Sequence, residues 1–298
     1  MRTTTTRILK RLALVLAATA ATAALAQGAR PLGPEVLNLI PAEVKARGTL
    51  RVGSQQTFPP VEFREPGKTE VTGASRDLLD EVARRLNLKL EYIQSEYAGL
   101  ISGVEADRFD VASGGISDTE EREQKLDFVN YMQSGGSIMV LASNPDKLAT
   151  IDDFCGKGVA TMLGGRVIMA AVEAASERCT KAGKPAIRAE QLPTAPDSRM
   201  QLDLKRVDGY IGDFPALVYM GAQFPGKYKI VGGNYMLTPY ITSWGFAKNR
   251  TGLRDAVQKA TQSMLDDGTY KKILDKWGVG GAVLPAISIN LPASKRNK

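Results

Sequence analysis

Two segments of the chain repeat one pattern, and this repeat restricts the possible folds more than any other feature. The segments are DRFDVASGGI at 107–116 and KRVDGYIGDF at 205–214. Each starts at the end of a helix-like stretch, passes through an Arg-x-Asp triplet and continues as an apolar strand that ends in a polar turn. The repeat predicts two similar structural units, the second beginning near Ser143.

Alternating strand and helix patterns lead up to the first repeat. Candidate strands lie at 50–53, 88–93 and 109–115, and a short helix is predicted at 99–106. A longer helix is expected to begin at Ser75, a residue type that favours the N-cap, and its apolar residues recur at helical spacing. Because strands alternate with helices, we expect a parallel sheet covered by helices.

The second unit has the same alternation. Its candidate strands are 158–163, 186–190 and 206–211, and its candidate helices are 167–179 and 196–204. A further strand is predicted at 243–249, followed by two helices at 251–266 and 269–277. We expect these two helices to pack on the first unit rather than to form a third domain.

The two predicted sheets would face each other and leave a cleft between their strand ends. Ligands of open α/β sheets bind outside the carboxyl ends of the strands. The polar turns that end the two repeats, 114–122 and 212–215, are therefore expected to face one cleft. The sequence thus predicts a two-lobed α/β fold with a ligand cleft between the lobes, each lobe being a mostly parallel sheet flanked by helices.

The N-terminal residues 1–26 are predicted to be a signal peptide. Four basic residues precede the apolar run LALVLAATAATAALA, and Ala24-Leu25-Ala26 supplies a small-residue cleavage site before Gln27. An uncleaved membrane anchor is the alternative, although the apolar run is short for a spanning helix. Without the four basic residues, 35 of the 39 Lys and Arg residues remain against 32 Asp and Glu. The charge therefore does not indicate nucleic-acid binding.

The composition excludes several kinds of site. The chain contains no histidine, so it lacks the commonest general base, the Ser-His-Asp triad and the ligand of most transition-metal sites. We expect no metal site. The two cysteines, Cys155 and Cys179, are predicted to form a disulfide, because an exported chain meets an oxidising compartment. Two free buried thiols are the alternative.

The stretch GGISDTEER at 114–122 has two interpretations. Ser117 and Glu120 have the spacing of a capping box, in which a hydroxyl and a carboxylate bind free helix amides. The glycines also let a ligand approach the backbone, and Arg122 can grip a carboxylate through two parallel hydrogen bonds. A cation at a helix N-terminus is unfavourable unless an anion compensates it. We therefore expect an anion at this turn.

Several ordered motifs resemble the family 3 extracellular solute-binding proteins, which bind polar amino acids for ABC importers. Between residues 48 and 280 these motifs are LRVG…FPPVEF, YAGLISGVEADRFDV, GGISDTEEREQKLDF, GKGVATMLGG, RVDGYIGD and DGTYKKILDKWG. The resemblance implies a periplasmic-binding-protein-like fold of type II. It also implies a periplasmic monomer without cofactor or catalytic activity, which binds an amino acid or small organic acid and delivers it to an ABC permease in the inner membrane.

The resemblance implies how the two charged ends of a ligand are held. The glycine-hydroxyl-arginine stretch of the family binds the ligand α-carboxylate, which here implies Gly115, Ser117 and Arg122. The ligand α-ammonium pairs with the residue that corresponds to Asp213, at the end of the second repeat. Taken alone, Asp213 would more often be a helix cap, because a Phe-Pro pair follows it.

Two aromatic residues belong to the same implied site. Phe58 and Tyr97 match family aromatics that enclose the aliphatic part of the ligand. Aromatic faces suit both an apolar stem and an ammonium group. Taken alone, each ring would more often belong to a hydrophobic core.

The chain departs from the family pattern at several positions, which leaves the ligand's identity open. Gln55 stands where an aspartate or a similar residue is usual, and Arg76 lies in GASRDL where a Gly-Phe-Asp-x-Asp run is usual. In the second unit Gly164-Gly165-Arg166 stands where a Gly-Thr pair is usual. Of these positions, Gln55, Gly165 and Arg166 are included in the predicted ligand site. If Arg76 or Arg166 reached the cleft, it would favour an acidic ligand. The alternative is that both side chains lie in solvent. Met162, at a position that can set selectivity, is apolar.

The domain division follows from the repeat and the resemblance. The first lobe is predicted to comprise 47–140 and 238–285, and the second 141–237. Residues 27–46 are expected to be a lead-in, and 286–298 a C-terminal tail.

An exported enzyme on the same scaffold is the alternative function. A lyase similar to cyclohexadienyl dehydratase would need a general acid in the cleft. The only nearby candidates are Glu96 and Asp118, so a binding protein is the preferred interpretation.

Overall fold

The structure is a computed structural model that describes residues 32–232 and 237–296. The predicted signal peptide, 1–26, lies outside the described residues. Within the two described ranges, no helix combines the length and the apolar character that crossing a membrane requires.

Strands and helices alternate along the described chain, as the sequence predicts. The strands are β1 (Thr49–Ser54), β2 (Thr57–Phe58), β3 (Glu62–Arg64), β4 (Val71–Thr72), β5 (Lys89–Gln94), β6 (Val111–Ser117), β7 (Leu126–Leu141), β8 (Gly158–Met162), β9 (Arg188–Leu192), β10 (Gly209–Asp213), β11 (Tyr228–Ile230) and β12 (Thr238–Ala247). The α-helices are α1 (Pro34–Leu37), α2 (Ala42–Arg47), α3 (Ala74–Arg85), α4 (Leu100–Glu105), α5 (Glu120–Glu123), α6 (Arg166–Lys181), α7 (Ala195–Asp203), α8 (Phe214–Gln223), α9 (Thr251–Asp266), α10 (Thr269–Lys276) and α11 (Ala293–Arg296).

One large mixed sheet forms the centre of the fold, with the strand order β5-β1-β6-β12-β7-β10-β8-β9 and with β11 beside β7. β1 pairs in parallel with β5 and β6, and β8 pairs in parallel with β9 and β10. These two parallel groups belong to the two lobes: the first lobe contains β1, β5 and β6, and the second contains β8, β9 and β10. The predicted two-lobed α/β fold is confirmed.

Two long antiparallel strands, β7 and β12, join the lobes. Residues 126–132 of β7 pair with 242–247 of β12, while 136–139 of β7 pair with β10 in the second lobe. β12 also pairs with β6 of the first lobe. Because β7 hydrogen-bonds in both lobes and β12 runs beside it, any change in the angle between the lobes must bend these two strands.

The repeated Arg-x-Asp triplet has the same structural role in both lobes. Asp110 Oδ2 accepts a hydrogen bond from the Arg51 amide at 2.9 Å, and Asp208 Oδ2 accepts one from the Gly158 amide at 2.7 Å. In return, the Asp110 and Asp208 amides donate to the carbonyl oxygens of Arg51 and Gly158, at 2.9 and 2.8 Å. Each aspartate therefore ties the start of its strand to the neighbouring parallel strand, which explains why the triplet occurs once in each lobe.

The hydrophobic core of the first lobe includes the last two long helices. Leu50 and Val52 of β1 pack with Leu78 of α3, and Leu253 of α9 and Leu274 of α10 belong to the same core. The prediction that these helices return to the first lobe is confirmed. A separate core between β8, β10 and α6 fills the second lobe.

The predicted N-cap at Ser75 is wrong. α3 begins at Ala74, and Gly73 occupies the cap position without a side-chain hydrogen bond. The Ser75 hydroxyl instead lies 3.0 Å from the Ser113 hydroxyl and accepts a hydrogen bond from Trp244 Nε1 at 2.9 Å. A buried indole N–H requires an acceptor. Because Trp244 lies far from Ser75 in the sequence, the residues around the start of α3 do not indicate this contact.

Two regions without a recognisable pattern are part of the packed structure. Residues 32–46, expected as a lead-in, contain α1 and most of α2, and their side chains Val36 and Val44 are buried in the first lobe's core. In the C-terminal tail, Ile287 belongs to the same core and Ile289 forms a β-bridge with Val129 of β7. Both ends of the described chain therefore help to complete the first lobe.

Cys155 and Cys179 form a disulfide, with their Cα atoms 5.5 Å apart. The predicted pairing is confirmed. The bond joins the turn before β8 to the end of α6. Both cysteines belong to the second lobe, so the bond stabilises that lobe without constraining β7 or β12.

Reduction of this disulfide should lower the free energy of unfolding by about 3 kcal/mol, because the bond closes a loop with a sequence separation of 24 residues. Urea unfolding with and without a reductant measures the difference. The matched control is the double variant Cys155→Ala/Cys179→Ala, whose unfolding midpoint should not respond to the reductant. Equal midpoints for reduced and oxidised wild-type protein would contradict this prediction.

Candidate functional site

A narrow cavity lies where the predicted cleft should be, at the carboxyl ends of β6, β8 and β10. The predicted ligand residues in its wall are Phe58, Tyr97, Gly115, Ser117, Gly165 and Asp213. The other residues of the wall are Gly114, Thr161, Met162, Val167, Ile168, Ala195, Tyr210, Ile211 and Gly212. The fold therefore brings six of the nine predicted ligand residues to one place, with both lobes contributing.

Two aromatic rings shape the first lobe's side of this cavity. Phe58 lies over Gly115, where an added Cβ would be 2.5 Å from the ring, and Gly115 has a φ of +86° that favours glycine. Tyr97 reaches the second lobe, where an added Cβ on Gly164 would lie 3.2 Å from its ring. The glycines at these positions are therefore required for the close approach of the two rings.

Arg122 is 5% exposed, and its guanidinium lies behind the cavity wall beside Ser117. Nη1 donates to the Ser117 hydroxyl at 2.9 Å and to the Ser117 carbonyl at 3.0 Å. Nη2 donates to the Gly164 carbonyl at 3.0 Å. The guanidinium thus contacts a cavity residue in the first lobe and the backbone of the second lobe at once.

The predicted capping box at Ser117 and Glu120 is wrong. Ser117 ends β6, and Thr119 caps α5 by accepting a hydrogen bond from the Arg122 amide at 3.2 Å. The Ser117 hydroxyl binds the Arg122 side chain instead, and Glu120 accepts a hydrogen bond from Ser294 at 2.7 Å. α5 is a single turn, so any affinity of this turn for an anion must come mainly from the Arg122 charge rather than from a helix dipole.

Asp213 ends β10 and precedes α8, but its carboxylate does not cap that helix. Its Oδ1 accepts hydrogen bonds from Ser134 Oγ, at 3.0 Å, and from the Tyr240 hydroxyl. Burial raises the pKa of Asp213 to about 6, although the hydrogen bonds from Tyr240 and Ser134 oppose the rise. Two neutral donors therefore hold the carboxylate in the cavity wall without neutralising it.

Arg122 and Asp213 carry opposite charges and have no counter-ion among residues 32–232 and 237–296: none of the salt bridges there includes either side chain. A buried charge without a partner destabilises a protein. The first lobe therefore holds an uncompensated cation behind Ser117 of the cavity wall, and the second lobe holds an uncompensated anion in the wall itself.

Gln55 lies behind the cavity wall rather than in it. Its Nε2 donates to the Gly114 carbonyl at 3.2 Å, while its Oε1 is buried without a hydrogen-bond partner. Gly114 itself lines the cavity. Gln55 therefore supports the wall, and its contact with a ligand stays a prediction.

The two unexpected arginines have partners outside the cavity wall. Arg166, whose side chain is 69% exposed, forms a salt bridge with Glu121 at 3.0 Å. Arg76 forms a salt bridge with Asp80 and lies over the Tyr92 ring. Arg166 also lines a second cavity, of about 250 Å³, together with Arg122 and Tyr97. Neither Arg76 nor Arg166 lines the narrow cavity, so its wall gives no support to an acidic ligand.

Sequence reasoning missed Ser134 and Tyr240, which hold Asp213. They lie on β7 and β12, far from Asp213 in sequence, and no local motif distinguishes them from other strand residues. Only the pairing of Asp213 with Gly136 across β10 and β7 brings Ser134 to the carboxylate. No signal in a single sequence could have identified them.

A larger cavity of about 390 Å³ lies beside α8. Its walls are formed by α8, by residues 277–282, and by Pro60, Gln133 and Ser134. No charged side chain of the described residues lines it. It offers no group that could pair with a charged ligand, so the narrow cavity, with Asp213 in its wall and Arg122 directly behind Ser117, is the better candidate site.

Residues 50–280 of the chain match the bacterial extracellular solute-binding proteins, family 3. The arginine-binding protein ArgT of Corynebacterium glutamicum is 27% identical over 260 residues, which cover 86% of this chain and 83% of ArgT.

Two solved structures share the fold. An ancestral arginine-binding protein bound to glutamine is 29% identical, with a TM-score of 0.70 over 78% of this chain and 99% of that one. An ancestral amino acid-binding protein, a precursor of cyclohexadienyl dehydratase, is 27% identical, with a TM-score of 0.67 over 79% of this chain and 97% of that one.

The substitution Asp213→Asn should stabilise the ligand-free protein at neutral pH. Because the pKa of Asp213 is raised to about 6 in the folded state, ionising this carboxyl group costs stability as the pH rises through 6. A neutral asparagine removes that cost, so we expect a gain of about 3 kcal/mol at pH 8 that vanishes towards pH 4. Urea unfolding of both proteins at the two pH values tests this, and an equal difference at both would contradict it.

Proposed function

The chain belongs to the bacterial extracellular solute-binding proteins, family 3, and on this premise we propose that it is the substrate-binding component of an ABC importer. In this role it binds an amino acid between its lobes and delivers it to a permease in the inner membrane. The predicted signal peptide supports a periplasmic location, and the family's description as extracellular agrees with it. One chain contributes both sides of the site, which supports a monomer as the binding form.

The observation that carries this proposal is the pair of uncompensated charges. The α-carboxylate of an amino acid pairs with Arg122, with help from the Ser117 hydroxyl, and its α-ammonium pairs with Asp213. A zwitterion supplies both missing counter-ions in one molecule. A guanidinium suits a carboxylate because it presents parallel N–H groups.

Binding is coupled to closure because the two charges belong to different lobes. We place the lobes at 47–140 with 238–285 and at 141–237, joined by β7 and β12, and we add 32–46 and Ile287 to the first lobe because their side chains belong to its core. In the structure Arg122 of the first lobe already donates to the Gly164 carbonyl of the second, at 3.0 Å. A ligand between Arg122 and Asp213 favours this closed arrangement, since only there does it contact both charges.

The ligand has an uncharged side chain. Apart from Asp213, the described residues of the cavity wall include no carboxylate that could bind a second cation, and Arg166 is engaged by Glu121. The rest of the wall offers apolar side chains and hydroxyls, including Met162, Ile168 and Tyr210. This combination favours an apolar or neutral polar amino acid over arginine, lysine or glutamate.

The positions of the candidate general acids favour binding over catalysis. Glu96 is exposed, and Asp118 is buried and hydrogen-bonded to Asn130. Neither of them lines the cavity. Turnover of prephenate or arogenate by the purified protein would establish the enzymatic alternative instead.

A panel of the twenty amino acids in a thermal-unfolding assay tests the ligand class. Amino acids with uncharged side chains should raise the melting temperature, since a ligand at 100 times its Kd adds about 2.7 kcal/mol. Arginine, lysine, aspartate and glutamate should have little effect. A largest shift with arginine would refute the neutral side chain, and no shift with any amino acid would refute amino-acid binding.

Substitution of either charge should remove binding without unfolding the protein. We expect Arg122→Ala and Asp213→Asn each to weaken amino-acid binding by roughly 30-fold or more, because one buried charge of the pair is then left unmatched. Arg178→Ala is the matched control: it removes an exposed arginine that pairs with Asp152, at 2.6 Å, away from the cavity, and affinity should stay near the wild-type value. Isothermal titration calorimetry measures all of these affinities. Retained affinity in either cavity variant would mean that the site is misplaced.

A further inference from the structure

The C-terminal segment 287–296 lies beyond the family match, which ends at residue 280. It nevertheless packs directly against the turn that carries Ser117 and Arg122. We call residues 287–296 the C-terminal strap.

The strap is fixed to β7 by backbone hydrogen bonds. The Asn130 amide donates to the Ser288 carbonyl at 2.9 Å, and the Asn290 amide donates to the Phe128 carbonyl at 3.0 Å. The Phe128 amide in turn donates to Asn290 Oδ1 at 2.8 Å. The beginning of the strap is therefore held in register with the first lobe.

Asn130 connects the strap to the residue that follows Ser117. Its Oδ1 accepts hydrogen bonds from the Ser288 hydroxyl at 2.8 Å and from Arg296 Nη2 at 3.2 Å. Its Nδ2 donates to Asp118 Oδ2 at 2.7 Å. Strap, β7 and the ligand turn thus share one buried amide.

Two further contacts reach α5, the single turn that contains Arg122. The Ser294 hydroxyl donates to Glu120 Oε1 at 2.7 Å, and Lys295 Nζ pairs with Glu123 Oε2 at 2.6 Å. Glu120 and Glu123 are the first and last residues of α5. The strap therefore holds both ends of the turn from which the Arg122 side chain extends.

Asp118, the residue after Ser117, is affected by charges on both α5 and the strap. Its side chain is buried, and burial raises its pKa to about 7, with the nearby Glu123 adding to the rise. The Asn130 hydrogen bond and the Lys295 charge oppose it. Without the strap, two neighbouring carboxyl groups would lose a cation and the turn would lose part of its support.

We infer that the C-terminal strap is a positioning element for the carboxylate end of the site: Ser294 and Lys295, through Glu120 and Glu123, hold α5 so that Arg122 meets the ligand carboxylate. This inference rests on the proposed function of Arg122. It concerns residues that touch no ligand themselves and act through the turn that they hold.

The test compares Ser294→Ala/Lys295→Ala with wild-type protein by calorimetry. The probe is the amino acid that gives the largest thermal shift in the panel of twenty, together with its α-carboxamide. We expect the Kd for the amino acid to rise about five- to tenfold, as loss of about 1 kcal/mol of positioning predicts. The α-carboxamide lacks the negative charge that Arg122 binds, so it binds wild-type protein more weakly than the amino acid does. Its Kd should change much less in the double variant.

Two control variants separate positioning from general stability. Lys295→Arg keeps the ion pair with Glu123 and should restore the wild-type affinity. Lys271→Ala breaks an exposed ion pair with Asp275, at 2.6 Å, on α10 and should leave affinity unchanged. If the double variant binds the amino acid as tightly as Lys271→Ala does, or loses equal affinity for both probes, the strap does not position the carboxylate site.

Hydrogen exchange of the ligand-free protein gives a second, independent readout. The amides of 117–123 should exchange faster in Ser294→Ala/Lys295→Ala than in wild-type protein, while those of α9 should not change. Unchanged exchange in 117–123 would overturn the inference. If no amino acid binds the wild-type protein, the proposed function fails, whereas this exchange result still decides whether the strap holds the turn.

Discussion

The structure depends on a separation of charge: Asp213 of the second lobe lies in the wall of the narrow cavity, and Arg122 of the first lobe lies directly behind Ser117 of that wall. Neither side chain has a counter-ion in the described chain. Each is satisfied by hydrogen bonds alone, from Ser134 and Tyr240 to Asp213 and from Arg122 to Ser117 and Gly164. Hydrogen bonds hold these side chains in place without neutralising them. A ligand that carries both opposite charges is therefore the simplest species that completes the site, and one lobe alone can bind only half of it.

The sheet topology makes this separation possible. The strands β6 and β10 each end at the cavity, and β7 and β12 run between them through both lobes. Ser134 and Tyr240 lie on these connecting strands and bind Asp213 of the second lobe. The same strands that must bend when the lobes move therefore also hold one of the two charges. This arrangement couples the geometry of the connection to the geometry of the site.

Much of this arrangement follows from local sequence pattern. The Arg-x-Asp repeat predicts the two lobes because Asp110 and Asp208 each make the same hydrogen bond to the start of the neighbouring parallel strand, and the two cysteines predict their disulfide. Helix caps were less predictable. The hydroxyls of Ser75 and Ser117 accept hydrogen bonds from the side chains of Trp244 and Arg122, which compete with the helix amides for these acceptors. The donors to Asp213 and the strap that holds α5 could not be predicted at all, because only the folded sheet brings those residues together.

We propose that Arg122 binds the carboxylate of the ligand and that Asp213 binds its ammonium group. Calorimetry can test each half by removing a charge from the protein and, separately, the matching charge from the ligand. The compounds are the bound amino acid, its α-carboxamide and its analogue without the amino group. We predict that Asp213→Asn and wild-type protein bind the analogue without the amino group with equal affinity. Likewise, Arg122→Ala and wild-type protein should bind the carboxamide with equal affinity. If Asp213→Asn weakens all three compounds equally, Asp213 does not pair with the ammonium and the account is wrong.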